Sequence, residues 1–140
     1  MSTTNVRNLE LIEGWSDADP AMRVRFNFPL AAAGTKASAV VYFEVEPGEH
    51  LGRHRDSAEE IVYVVEGRGE AEVGDERVPV EAGSLALVPE LVPHAVYNTG
   101  DTTLRAVGFF AAAEVEHTFD EPIQPLGVRV VHTPFVTAPV

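Results

Sequence analysis

Four side chains in this sequence have the types and the spacing to bind one divalent metal ion. They are two imidazoles and two carboxylates, His54, Asp56, Glu60 and His94. Imidazole nitrogen suits Zn²⁺, Fe²⁺ and Ni²⁺, and carboxylate oxygen suits Mn²⁺. The chain has no cysteine, so a metal must be held by nitrogen and oxygen alone.

Strand geometry decides which of these side chains can meet. Side chains alternate between the two faces of a strand, so His54 and Asp56, two residues apart, point the same way. Glu60 keeps that parity only if the three residues before it stay extended, and their sequence is typical of a turn. Glu59 therefore competes with Glu60 for the ligand role. His94 must arrive from a different strand.

Short apolar runs separated by glycine and proline predict the strands that position these residues. The predicted strands are 22–28, 39–45, 61–65, 70–73, 77–80, 84–88, 94–98 and 103–110. Residues 74–76 between two of them predict a hairpin turn. No stretch has sustained helical periodicity with caps. Many short strands of this kind predict an all-β sandwich or barrel, and the double-sheet jelly roll is such an architecture.

The first of two segments resembles a sequence motif of the cupin superfamily. That motif spaces a glycine, two histidines, a glutamate and a second glycine. Gly48, His54, Glu60 and Gly67 fall in register with it, and Asp56 takes the place of the second histidine.

The second segment resembles the other cupin motif. Gly83, Pro89, His94 and Asn98 match its glycine, proline, histidine and asparagine, and Leu91 replaces its second glycine. The resemblance covers roughly residues 37–112. It implies the cupin double-stranded β-helix, a jelly-roll barrel in a single domain, with a metal inside the barrel.

The chain divides into three parts around this barrel. Residues 1–20 are expected to form an N-terminal arm, and residues 21–112 the cupin barrel. Residues 113–140 contain several prolines and are expected to be extended and irregular. Their apolar side chains predict that this segment packs on its own barrel or on a partner subunit.

Composition restricts the partners and the location. The 140 residues carry 22 acidic and 10 basic side chains, a formal net charge of −12, which repels phosphate backbones and anionic lipid. No apolar run approaches the roughly 18 residues of a membrane span. We therefore expect a cytoplasmic protein that binds a small molecule, with no nucleic-acid or membrane partner.

One predicted strand is apolar on both of its faces. In 61–65, one face can fill the barrel, but Ile61, Tyr63 and Val65 would then face water. Such a face needs a cover, and a second copy of the chain would supply one. The sequence therefore predicts a homodimer.

The leading functional hypothesis is an enzyme that acts on a small organic substrate at the barrel metal. Two histidines with one carboxylate reproduce the set that leaves open positions on non-haem Fe(II), which slightly favours a dioxygenase over an isomerase or lyase. Fe or Mn is the preferred metal, and Zn or Ni also accepts these ligands. Glu60 is the candidate catalytic base.

The alternative is a non-catalytic module that binds or senses a small ligand, with or without a metal. The replacement of the second family histidine by Asp56 keeps the metal-free form of this alternative open. The two histidines of the C-terminal segment, His117 and His132, receive no site role from the sequence.

Overall fold

The computed structural model describes residues 2–134, which form two antiparallel sheets of six strands each. The strands are β1 (Ile12–Trp15), β2 (Arg23–Asn27), β3 (Ala39–Val45), β4 (His50–Asp56), β5 (Glu60–Glu66), β6 (Arg68–Val73), β7 (Glu76–Glu81), β8 (Leu85–Val88), β9 (His94–Tyr97), β10 (Leu104–Phe110), β11 (Val115–Ile123) and β12 (Val128–Thr133). The first sheet has the order β1-β2-β3-β10-β5-β8, and the second β12-β11-β4-β9-β6-β7. The predicted all-β, jelly-roll barrel in one domain is confirmed.

The barrel interior is filled by alternate residues of the strands that the sequence pattern predicts. Val41, Phe43 and Val45 of β3 point inward and pack with Leu104 and Ala106 of the neighbouring strand β10. Each is 8% exposed or less. Burial of side chains as large as valine or leucine contributes roughly 1.5–3 kcal/mol each, so this layer stabilises the two-sheet arrangement.

The predicted hairpin is also present. Strands β6 and β7 pair in register around a turn at 74–75, with Val73 opposite Glu76. Gly74 has φ +59°, a left-handed conformation that glycine adopts without a Cβ clash. The hairpin forms one edge of the second sheet.

The two ends of the described chain are bonded to each other and to the barrel. The C-terminal segment, expected to be irregular, instead forms a β-hairpin of β11 and β12 that pairs with β4. Strand β1 pairs with β2 in the first sheet. Trp15 and Gln124 exchange two backbone hydrogen bonds of 3.2 and 2.7 Å, which join the two sheets. The predicted segment also includes residues 135–140, which lie outside the described residues.

The outer face of the first sheet carries a contiguous apolar patch. Ile61, Tyr63 and Val65 of β5 are 40–44% exposed, and Leu85 and Leu87 of the edge strand β8 are 57–70% exposed. Ile61 lies opposite Leu87, and Tyr63 opposite Leu85, so the side chains adjoin. Strands β11 and β12 lie in the other sheet, so this part of the C-terminal segment does not cover the patch.

We propose that a second copy of the chain covers this patch. Light scattering at micromolar concentration should give twice the chain mass of 15.1 kDa. Tyr63→Glu combined with Leu87→Glu should bring the mass down to that of one chain, because two charges would be buried at the contact. Val130→Glu, on an exposed position of the opposite sheet, is the matched control and should leave the mass unchanged. A parent mass near 15.1 kDa would reject the dimer.

Within residues 2–134, no helix has the length and apolar character needed to cross a membrane.

Candidate metal centre

Three of the predicted ligands meet in the second sheet. His54 and Asp56 point inward from β4, and His94 begins β9 directly opposite His54. The Nε2 atom of His94 lies 3.1 Å from Oδ2 of Asp56, and Nε2 of His54 lies 3.7 Å from Oδ1. One ligand atom from each residue lies within 4.8 Å of the other two. These three side chains could hold one metal ion.

Glu60 approaches the same point from the opposite sheet. The predicted turn at 57–59 is present, so Glu60 begins β5 and does not continue β4. Its Oε1 atom lies 3.6 Å from Nε2 of His94, at the edge of the three-residue group. Glu60 is 4% exposed, and Glu59 faces solvent. The geometry therefore favours Glu60 over Glu59.

A glycine leaves room for the Glu60 carboxylate. Gly108 lies on β10, next to β5, and a Cβ atom at this position would overlap the Oε2 atom of Glu60 and crowd Val41. The position of this carboxylate therefore depends on a residue without a side chain.

Backbone carbonyls orient both candidate imidazole ligands. The hydrogen-bond network assigns an Nδ1–H to each ring: His54 donates to the carbonyl of Gly52 at 2.7 Å, and His94 to that of Val92 at 3.0 Å. In the neutral form of each ring, the lone pair of Nε2 is then directed at the centre. Metal-binding histidines are commonly fixed in this way.

His117 belongs to this site, although sequence reasoning gave it no place there. It lies opposite Asp56 where β11 pairs with β4, and its Nδ1–H donates to Oδ1 of Asp56 at 2.6 Å. Its Nε2 atom accepts from the hydroxyl of Thr133 at 2.5 Å. The signal in the sequence is parity, because His117 lies between Val115 and Phe119 on the buried face of a strand. The other tail histidine, His132, faces solvent with a 75% exposed side chain.

Two polar atoms at the centre have no hydrogen-bond partner among the described residues. Oδ2 of Asp56 and Nε2 of His94 are both buried, and although 3.1 Å apart they do not have hydrogen-bond geometry. An unsatisfied buried polar group costs about 1–3 kcal/mol. A divalent cation bound to both atoms would satisfy them, so the donor set fits a metal ion.

Burial and mutual contact shift the pKa values of the cluster in different directions. Burial, with the neighbouring His94, lowers the pKa of His54 to about 3. Burial also disfavours the charged forms of Asp56 and His94. Even so, contact with His117 and His94 keeps the pKa of Asp56 well below its usual range. The adjacent carboxylates raise the pKa of His94 to about 10. Burial raises the pKa of Glu60 above its usual value.

These shifts predict proton release when a metal binds. At neutral pH the metal-free site has a neutral His54 and a protonated His94, because their pKa values lie near 3 and 10. A metal ligand must be deprotonated, so His94 must lose its proton. We expect Mn²⁺ affinity to rise about tenfold per pH unit between pH 6 and 8. Calorimetry in buffers of different ionisation enthalpy should detect about one proton released. Affinity that does not change with pH would contradict this assignment.

An apolar cavity of about 270 Å³ opens beside the cluster. His54, Glu60, His94 and His117 contribute to its wall, and most of the remaining lining is aliphatic or aromatic. Five phenylalanines line it: Phe26, Phe28, Phe43, Phe110 and Phe119. A small organic molecule can therefore reach the candidate ligands.

The loop before His94 keeps a left-handed conformation despite the departure from the second motif. Leu91, which replaces the family glycine, has φ +64°, and its N–H donates to the carbonyl of Asp56 at 2.9 Å. A leucine adopts this left-handed conformation at a cost of about 1–2 kcal/mol.

Asn98 has a structural role, because its amide donates to the carbonyls of Val45 and Thr102, both at 2.8 Å.

Comparison with known proteins places the fold and the paired motifs in one family. The family model for the cupin domain matches residues 41–110, half of the chain. The chain belongs to the cupin family. Protein SchB of Streptomyces halstedii is 33% identical over 101 residues, which cover 69% of this chain and 73% of that protein.

Solved structures share the barrel. A cupin-2 domain from Rhodospirillum rubrum has a TM-score of 0.67 at 24% identity and covers 79% of this cupin and 74% of that chain. Oxalate decarboxylase of Bacillus subtilis, which has Mn(II) centres, has a TM-score of 0.63 at 20% identity. That match covers 76% of this cupin and 30% of the decarboxylase chain. At these identities, the likeness is one of fold.

Proposed function

We propose that this cupin is a metal-dependent enzyme that acts on a small organic substrate. The observation that supports this most directly is the pair of unpartnered buried atoms on Asp56 and His94. They lie in a cluster with His54, and both His54 and His94 line a cavity of about 270 Å³. These three residues would hold one divalent ion and leave open positions toward the cavity, and Glu60 would complete the set when its carboxylate approaches.

The donor set favours Fe²⁺ or Mn²⁺. Two imidazoles with two carboxylates bring the charge of a divalent site close to zero, and oxygen ligands suit these ions better than a set of histidines alone does. Zn²⁺ and Ni²⁺ bind the same ligands. The Mn(II) centres of the Bacillus subtilis decarboxylase support manganese on this barrel.

The chain itself supplies orientation and a base. When bound, the metal would act as a Lewis acid or as an oxygen-activating centre. His117 holds Oδ1 of Asp56, so the other carboxylate oxygen stays directed at His94. Glu60 is buried at the cavity wall, and burial raises its pKa, so its carboxylate is a stronger base than an exposed one. It would accept a proton from a substrate C–H or O–H group.

A Glu60→Gln variant tests the base. With Fe²⁺-loaded protein, oxygen consumption and mass-detected products are measured for acetylacetone and 2,3-dihydroxynaphthalene, whose paired oxygens can chelate a metal. Glutamine keeps the shape but does not accept the proton, so turnover should fall about 10²–10⁴-fold. Metal content should fall far less, because Glu60 lies at the edge of the ligand group.

Glu59→Gln is the matched control, since this neighbour faces solvent, and it should react like the parent. Unchanged turnover in Glu60→Gln would remove Glu60 from catalysis. Saturable binding of both compounds without any product would instead favour the non-catalytic module.

A further inference from the structure

The described wall of the cavity contains no permanently charged cationic side chain. Among the described residues that line it, none is lysine or arginine, and the acidic ones are Glu13 and Glu60. Arg23 lies near Glu13 but pairs with that carboxylate at 2.5 Å. Once a metal is bound and His94 has lost its proton, a negatively charged ligand would therefore have only the metal as a cationic partner.

The charge of the metal is already largely balanced. Asp56 supplies one negative charge, and Glu60 supplies a second when its carboxylate approaches, so a divalent ion bound there leaves at most a single positive charge for the ligand. A dianion would keep an unpaired negative charge within an apolar wall, and burial of an unpaired charge is strongly unfavourable. The net charge of −12 on the whole chain also disfavours the approach of anions.

The size and lining of the cavity suit rings. An apolar cavity of about 150 Å³ holds one benzene molecule, and this cavity has about 270 Å³. The ring of Phe119 stacks on His54, with centroids 4.8 Å apart and planes at 21°. At the margin, Ile12 and Leu126 line the cavity and are also 44% and 55% exposed, which gives the entrance an apolar surface.

We propose that the ligand of this cavity is uncharged in solution, with one or two rings and oxygen atoms at one end that reach the metal. The ring portion contacts the phenylalanine-lined wall, and the oxygen end faces His54, His94 and Glu60. Small dicarboxylates such as oxalate are excluded. This inference rests on the proposed metal site for the oxygen end, and on the apolar lining for the rings.

Two probes of equal ring size but different charge test the proposal. Binding of 2,3-dihydroxynaphthalene and of 2,3-naphthalenedicarboxylate is measured by calorimetry with Mn²⁺-loaded and metal-free protein, and oxalate is the small-anion reference. We expect the uncharged diol to bind the loaded protein at least tenfold more tightly than either anion. The metal-free protein should bind the diol more weakly, because only the ring contacts remain.

A charge placed in the wall supplies the converse test. Leu51 lines the cavity and is only partly buried. Leu51→Arg should therefore weaken the binding of the diol and strengthen the binding of the naphthalene dicarboxylate. Val78→Arg, exposed on β7 and away from the cavity, should change neither. Circular dichroism checks that the variant folds. If Leu51→Arg does not fold, the proposal is tested by the relative affinity of the parent protein for the two naphthalene probes.

The outcomes separate the two proposals. Tighter binding of oxalate or the naphthalene dicarboxylate to loaded protein would overturn the uncharged-ring ligand while the metal site stands. If the diol binds equally well with and without Mn²⁺, and the protein retains no metal, the metal-dependent function is overturned. The apolar cavity would still stand.

Discussion

Replacing both central histidines, His54→Ala with His94→Ala, should reduce bound metal from about one equivalent to background. The two Nε2 atoms would be the nitrogen donors of the centre, and Asp56 with Glu60 alone would leave a divalent ion two protein ligands. The measurement is elemental analysis after incubation with Mn²⁺ and gel filtration.

The control for this variant is His132→Ala, because that imidazole is 75% exposed and remote from the centre. It should bind metal like the parent. Removing two buried rings also leaves a void, so folding is checked by circular dichroism. His94→Gln is a second variant, in which the new side chain is closer in volume to histidine than alanine is. Full metal retention in a folded double variant would move the metal to another part of the chain.

Asp56→Asn should weaken metal binding about 100-fold or more, although the side chain keeps its shape. The carboxylate is 2% exposed and contacts His94, His54 and His117, so its charge is shared within the cluster. The motif comparison suggests that Asp56→His restores the commoner cupin ligand. The structure instead predicts that Asp56→His does not restore metal binding. The substitution would remove the oxygen that accepts the hydrogen bond from His117, and the larger imidazole would crowd the residues packed around it.

His117→Gln should have a smaller effect, about 10–100-fold, since this residue positions Asp56 and does not reach the metal itself. Asp120→Asn, on an exposed side chain of β11, is the control and should bind like the parent. Titration with Mn²⁺ followed by paramagnetic resonance measures all four variants. Parent-like affinity in Asp56→Asn would leave His54, Glu60 and His94 as the ligand set.

Most of the barrel could be predicted from local patterns. Strand β3 falls at the predicted residues 39–45, and the hairpin of β6 and β7 has its turn at Gly74. Alternation and turn chemistry act over a few residues, so the sequence states them directly. The regular hairpin of β11 and β12 was not predicted. Prolines such as Pro122 and Pro125 interrupt the alternation of buried and exposed residues that would have indicated these strands.

The candidate ligands could be named from the sequence, but their arrangement could not. His54 and Asp56 share a face because they are two residues apart on one strand, which parity alone predicts. Glu60 reaches them from the opposite sheet, and His117 contacts Asp56 across 61 residues of chain. These contacts depend on which strands pair and in which register.

The sequence by itself determined most of the strands, the cupin barrel and the candidate nitrogen and oxygen donors. Only the tertiary structure decided that Glu60 and not Glu59 faces the centre, that His117 fixes Asp56, and that the cavity is apolar and, among its described lining residues, has no lysine or arginine. The physical reason is that side-chain type and parity are local properties. The register between strands and the space enclosed by two sheets result from packing across the whole barrel.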